Sequence, residues 1–289
     1  MSRDIASNSS CRLSETLSHY RAQIDRALFA ELQQRKNSPF FAPFVKALKG
    51  GKRLRSTLLL LAFESVGGRE CDPLPAAVAV ELAHMESLVH DDIIDGDITR
   101  RGSMSFHTSY GREMALLSAD FILSLILSIT SRYPDPRVAN TLANATISMC
   151  EGELLEVNAF TAGPVIQTET YVEIITKKTA VLFEAAASIG AVVGGATHAD
   201  IERLSAYARA LGVAYQVRDD LTDGIQSGSR SVALALSDQR CSQEEYLRQM
   251  AALHAREACA ELKFLQSSEA KYCLTKLAMA IGFGMRYRR

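Results

Sequence analysis

Neither charge sign prevails in this 289-residue chain: 32 basic residues stand against 33 acidic ones, a formal net charge of −1. Bulk attraction to nucleic acid or to an anionic membrane surface is therefore not expected, and any charge-based function must come from local clusters. Paired cysteines are missing too. The six cysteines (Cys11, Cys71, Cys150, Cys241, Cys259 and Cys273) are scattered, with no C-x-x-C pair and no histidine at zinc-ligand spacing. They read as reduced thiols of a cytoplasmic protein. The N-terminal segment MSRDIASNSSCRLSE lacks the apolar stretch of a signal peptide. The most apolar segment, Phe121 to Ile129, falls far short of the ~20 residues that span a bilayer, so no membrane span is expected.

Helix breakers are scarce. The seven prolines cluster at 39, 43, 73, 75, 134, 136 and 164. The stretches between them are rich in Ala, Leu, Glu and Met, which favour helix. Strand signals are poor, since no Asn-Gly or Asp-Gly turn separates alternating β-branched runs. The pattern predicts helices over 12–35, 40–48, 53–66, 74–95, 111–130, 136–159, 168–190, 198–224, 242–264 and 268–284, with breaks near 67–72, 96–105 and 224–232. No break is long or biased enough to be a linker, so residues 1–289 are expected to form a single all-α bundle.

Against this background two acidic motifs stand out. Asp91-Asp92-Ile93-Ile94-Asp95 ends one long apolar helix, and Asp219-Asp220-Leu221-Thr222-Asp223 ends another. The D-D-x-x-D spacing stacks the first and last carboxylates on one helical face, where they repel. No Lys or Arg follows or precedes at the compensating three- or four-residue offsets. Acidic groups at helix C-termini also oppose the macrodipole, so solvated acidic caps are a weak explanation. An external cation is the better one, and a donor set of oxygens without His or Cys selects a hard ion, Mg²⁺.

Magnesium commonly binds through one or two carboxylates plus substrate phosphate, so basic partners are expected. Three sets occur: Gly50-Gly51-Lys52-Arg53-Leu54-Arg55 opening a helix, Arg100-Arg101-Gly102 just past Asp95, and Lys177-Lys178-Thr179 inside an otherwise apolar helix. Each has a plain alternative. The first could be a solvated basic face, the second could merely neutralise Asp95 and Asp97, and Lys178 could snorkel from a partly buried helix. Taken together, they suit one metal-bridged diphosphate site. His84, seven residues before Asp91, shares the aspartate face.

GGKRLR, ELAHMESLVHDDIIDGDITRRG, KKTA and YQVRDDLTDG, in that order and at similar spacing, resemble the trans-isoprenyl diphosphate synthases, of the short-chain geranylgeranyl and farnesyl type. The resemblance covers roughly residues 40–225. It implies a helical bundle around a central apolar cavity, usually a homodimer, that joins isopentenyl diphosphate to an allylic diphosphate with the help of roughly three Mg²⁺ ions. It assigns metal binding to Asp91, Asp95, Asp219 and Asp223. Arg100, Lys178, Thr179 and Gln216 would contact the allylic substrate; Lys52, Arg55, His84 and Arg101 would hold isopentenyl diphosphate. Geranylgeranyl diphosphate is the expected product, ahead of farnesyl diphosphate. A terpene cyclase-like enzyme and a non-catalytic partner subunit are the rival readings.

The match breaks in two places. The family's lysines after the second motif are absent; Arg230 or the Arg286 to Arg289 tail would have to replace them. Glu86 and Ser87 lie where family members floor the chain pocket, and a glutamate against apolar surface needs a partner, for which a second subunit is the candidate.

Overall fold

Four long apolar segments set the architecture, a computed structural model that describes residues 2–48, 50–100, 102–162, 166–226 and 243–284, with side chains outside 2–12, 223–226 and 243. Helix α1 spans Ser2–Gln33 and α2 Phe41–Ala47. Helices α3 (Leu54–Ser65) and α4 (Leu74–Ile94) follow. A two-stranded antiparallel hairpin, β1 (Thr99–Arg100) with β2 (Ser103–Met104), leads to α5 (Phe106–Tyr110) and α6 (Arg112–Thr130). Then come α7 (Pro136–Ala162), α8 (Thr168–Ile175), α9 (Val181–Val193), α10 (His198–Gln226), α11 (Gln243–Glu261) and α12 (Glu269–Phe283).

The class is all-α, as the composition implied. The central helices are apolar on every side because they are enclosed on every side. In α3, nine of twelve residues are buried, and α9 is buried along nearly its whole length. Leu58, Leu59, Leu61, Leu82 and Phe183 are fully buried in the core that these helices share with α4. Pro75 is tolerated because it lies in the first turn of α4, where its missing N–H has no partner to lose.

Three local features depart from the sequence expectation. The 96–105 break contains the small hairpin, turning through Gly102 at φ 75°. The predicted 168–190 helix is α8 and α9 joined by a π-helical turn over Thr176–Ala180. Helix α6 extends the apolar segment at Phe121 to 19 residues, with an 18-residue window of mean hydropathy 1.7, long and apolar enough by those measures to cross a bilayer. It lies against α4 on one face, burying Ala115, Ile122, Leu125 and Ile129, and exposes Leu116, Leu117, Leu123 and Leu127 on the other.

Candidate active site

The first motif is presented by the way α4 ends. The Asp95 N–H donates to the Asp91 carbonyl at 2.8 Å, and the Asp97 N–H to the Asp92 carbonyl at 3.0 Å. Gly96 takes the left-handed conformation (φ 69°) that closes such an end without a Cβ penalty. Asp91 is half-buried and Asp95 exposed, while Asp92 points inward at 3% exposure. The hairpin then folds back so that the Arg100 Nε donates to Asp92, with Nη2 3.9 Å from Asp97. The compensation missing along the helix therefore arrives from another element.

The second cation is Lys178, on the π-helical turn. Its ammonium lies 2.6 Å from Glu153 and also donates to Glu156, both on α7. Oε2 of Glu153 has no aligned hydrogen bond among the described residues, so that contact is an ion pair of poor angle. Two glycines make this proximity possible. A Cβ on Gly152 of α7 would lie 2.6 Å from the Lys178 backbone nitrogen, and one on Gly212 of α10 would lie 2.6 Å from the Ala180 Cα. Both helices thus press directly on the π turn, and π turns of this kind recur at functional sites.

The electrostatics reflect this crowding. Burial pushes the Asp91 carboxyl up to about 7; Lys178 and Arg100 oppose the rise and Glu153 adds to it. Burial likewise raises Asp95, against Lys178 and Arg100 and with Glu153 and Asp97. Burial raises Glu156, with Lys178 opposing and the charges of Glu153 and Asp95 adding. Burial would lower Lys178, but Asp91, Glu156 and Glu153 outweigh it and hold the ammonium above its ordinary value.

The second motif meets the same turn from α10. The Thr179 hydroxyl donates to Gln216 Oε1 at 3.0 Å, and Gln216 Nε2 donates to Asp220 Oδ1 at 2.9 Å. The Tyr171 hydroxyl, from α8, donates to Asp220 Oδ2 at 2.8 Å. Burial pushes Asp220 up to about 6; the Tyr171 and Gln216 donors oppose this, and the charges of Asp219 and Glu156 add to it. The charges of Asp95 and Asp220 both act with that of Glu156, and the Thr179–Gln216–Asp220 bonds tie the second motif to the π turn that carries Lys178. In each pair the middle aspartate is engaged within the chain: Asp92 by Arg100, Asp220 by Tyr171 and Gln216.

The basic loop before α3 completes the surroundings. Gly50 (φ 85°), Gly51 (φ 90°) and Arg53 (φ 51°) all have positive φ. Lys52 is exposed and sits 5.7 Å from the Tyr215 ring centre; the Arg55 guanidinium lies 4.6 Å from that of Phe183. Those two rings are 5.3 Å apart, so Lys52 and Arg55 both stand against the seam of α9 and α10. His84 is half-buried on α4. Arg101 lies outside the described residues, as do Arg230 and Arg286 to Arg289; Asp223 falls within α10, its side chain undescribed.

Glu86 meets a partner in its own helix, His90 Nδ1 at 3.3 Å. Burial raises its carboxyl, with the His90 charge opposing and that of Asp120 adding. Glu153, Glu156 and Tyr171 were not singled out in the sequence. The only trace of the first two was a glycine followed by acids at one-turn spacing, G-E-L-L-E.

Among the described residues no three Asp, Glu, His or Cys side chains form a ready-made metal site. The donors are split between two walls, and all are oxygens. That arrangement fits a hard cation completed by phosphate oxygens, which is how magnesium is usually bound.

An all-α bundle thus brings two D-D-x-x-D motifs toward the α7 carboxylate that pairs with Lys178. Residues 39–268 match the family described as polyprenyl synthetase, and the chain belongs to that family. It is 42% identical over 179 residues to a geranylgeranyl diphosphate synthase of Methanosarcina mazei, a match covering 60% of this chain and 55% of that protein. It is 35% identical over 249 residues to a geranylfarnesyl diphosphate synthase of Natronomonas pharaonis, covering 76% and 69%. The chain spans little more than half the length of the first curated relatives it matches, at 55%, 54% and 54%. Its fold resembles the crystal structure of geranylgeranyl pyrophosphate synthetase from Pyrococcus horikoshii Ot3, with a TM-score of 0.83 and 28% identity over 93% of this chain and 98% of that one.

Proposed function

We propose that the chain is a magnesium-dependent prenyltransferase, joining isopentenyl diphosphate head to tail with an allylic diphosphate. The observation that carries this reading is that both motifs meet the π turn, the first through Lys178 and the second through Gln216 bonded to Thr179. Asp91, Asp95, Asp219 and Asp223 would hold roughly three Mg²⁺ ions. Bound magnesium supplies charge neutralisation for the departing diphosphate.

The chain's own residues do the rest. Lys178 and Arg100 place fixed positive charge where negative charge develops as the allylic C–O bond breaks. Thr179 and Gln216 orient the allylic group beside them. Lys52, Arg55, His84 and Arg101 hold isopentenyl diphosphate so that its double bond attacks the allylic carbon. The enclosed apolar helices keep water from the cation until a proton is lost to the released diphosphate. No protein nucleophile is required.

The exposed leucines of α6, with Ile147 and Leu154 on α7, form an apolar face suited to a second copy, which supports a homodimer. We take geranylgeranyl diphosphate as the product and residues 1–289 as one domain.

Incubation with Mg²⁺, isopentenyl diphosphate and each allylic primer in turn, with products sized by mass spectrometry, tests the reading. Elongated prenyl diphosphates are expected. Diphosphate release from an allylic substrate alone would favour the cyclase-like alternative, and no release at all the non-catalytic subunit.

A further inference from the structure

We propose that Tyr171 is a positioning residue for the second aspartate motif: its hydroxyl locks Asp220 so that Asp219, the next residue on α10, is presented to the metal-bound diphosphate. The inference rests on the function proposed above for the identity of that ligand.

Tyr171 is fully buried, and a buried tyrosine hydroxyl must find an acceptor. The fold offers a comparison. Tyr207 is equally buried, and its hydroxyl donates to the Leu274 backbone carbonyl at 2.8 Å, away from the motifs. Tyr171 instead donates at 2.8 Å to a carboxylate within the second motif. With Gln216 on the other oxygen at 2.9 Å, both oxygens of Asp220 are engaged and its orientation is fixed. Gln216 is itself oriented by Thr179 at 3.0 Å. The chain of bonds therefore runs from the π turn to Asp220 and back to α8.

The covalent path closes the loop. Tyr171 and Lys178 belong to one continuous helical unit, α8 with the π turn. A bond from Tyr171 to Asp220 thus sets the second motif relative to the Lys178 wall. The ring and the hydroxyl contribute separately. The ring lies in an apolar cluster with Val213, Val217 and Leu221 of α10, whereas the hydroxyl serves Asp220 alone. Removing the hydroxyl leaves the cluster intact.

The test compares Tyr171→Phe with Tyr207→Phe in the full chain. Binding of inorganic diphosphate in the presence of Mg²⁺ is measured by calorimetry, alongside melting temperature and the KM for isopentenyl diphosphate. Tyr171→Phe is expected to weaken magnesium diphosphate binding about tenfold or more, the usual effect of losing a group that orients a metal ligand. Its KM for isopentenyl diphosphate should stay unchanged. Tyr207→Phe should lower the melting temperature and leave diphosphate binding at the wild-type value. Wild-type binding in Tyr171→Phe, or an equal loss in both variants, overturns the positioning role. A wild-type protein that binds no magnesium diphosphate overturns the proposed function, and this inference with it.

Discussion

Arg53 donates through Nη1 to Glu81 at 2.9 Å while its Nε reaches Asp25 at 2.8 Å, a buried fork that joins the loop before α3 to α4 and α1. Ser56 adds a third tie, donating to the other Glu81 oxygen at 2.7 Å, and the Leu48 carbonyl accepts from Nη2. Arg53 and Glu81 side chains are 7% and 6% exposed. Replacing Arg53 by Met leaves Glu81 buried without its cation. Breaking a buried pair from one side destabilises by about 3–5 kcal/mol, and urea unfolding of Arg53→Met should show a loss of that order. Arg53→Lys should recover only part of it, since an ammonium cannot fork.

Neighbouring lysines should behave oppositely. Lys178 faces Glu153, Glu156 and Asp91; Lys177 makes surface pairs with Glu151 at 3.1 Å and Glu173 at 3.6 Å. Lys178→Ala should lower kcat by about 10²–10³, the range for removing one fixed stabiliser of developing charge. Lys177→Ala should leave kcat near wild type and stability almost unchanged, since exposed pairs contribute little. Steady-state kinetics on both variants checks the contrast.

Gly152 is the contact point between α7 and the π turn, and the atom a Cβ would meet there is backbone. Gly152→Ala should destabilise by about 1–3 kcal/mol through overpacking. It should also raise the KM for the allylic substrate, because the helix carrying Glu153 and Glu156 is pushed from Lys178. An unchanged KM with lowered stability would show that Lys178 follows the displaced helix.

Acid sensitivity should have a contribution remote from the site. Burial would raise the Glu31 carboxyl, but Arg132, at 2.7 and 2.9 Å, and Arg35, at 3.3 Å, outweigh it and lower its pKa below the ordinary 4.5. A carboxylate with a depressed folded-state pKa contributes stability that is present above its unfolded value and lost as pH falls through the folded one. Unfolding free energy should therefore drop below about pH 4.5, and Glu31→Gln should flatten that part of the curve while lowering stability at neutral pH.

Much of this was legible in the sequence. The apolar segment beginning after Pro73 and ending in D-D-x-x-D predicts a helix over 74–95, and α4 runs Leu74–Ile94. Both motifs were visible from their spacing, and Lys177-Lys178-Thr179 as a polar set inside an otherwise apolar helix. What was hidden depends on contacts between distant elements. Arg53 reads as one more cation in a basic loop, and only the fold reveals Glu81 and Asp25 around it. Glu153 and Glu156 look like ordinary helix-surface acids until Gly152 brings α7 onto the π turn. Tyr171 has nothing in its neighbourhood to announce a partner 49 residues away.

The π turn also dictates what lengths the chain tolerates here. A π turn bonds i to i+5 where an α turn bonds i to i+4, so it takes up about one extra residue, and deleting one residue within Thr176–Ala180 would restore regular α pitch with little rotation downstream. Leu182 and Phe183 would keep their places in the core, while Lys178 and Thr179, inside the turn, would lose their present bearing relative to Tyr171. Shortening the chain by one residue here should therefore spare the hydrophobic interior and tell on the cationic wall alone.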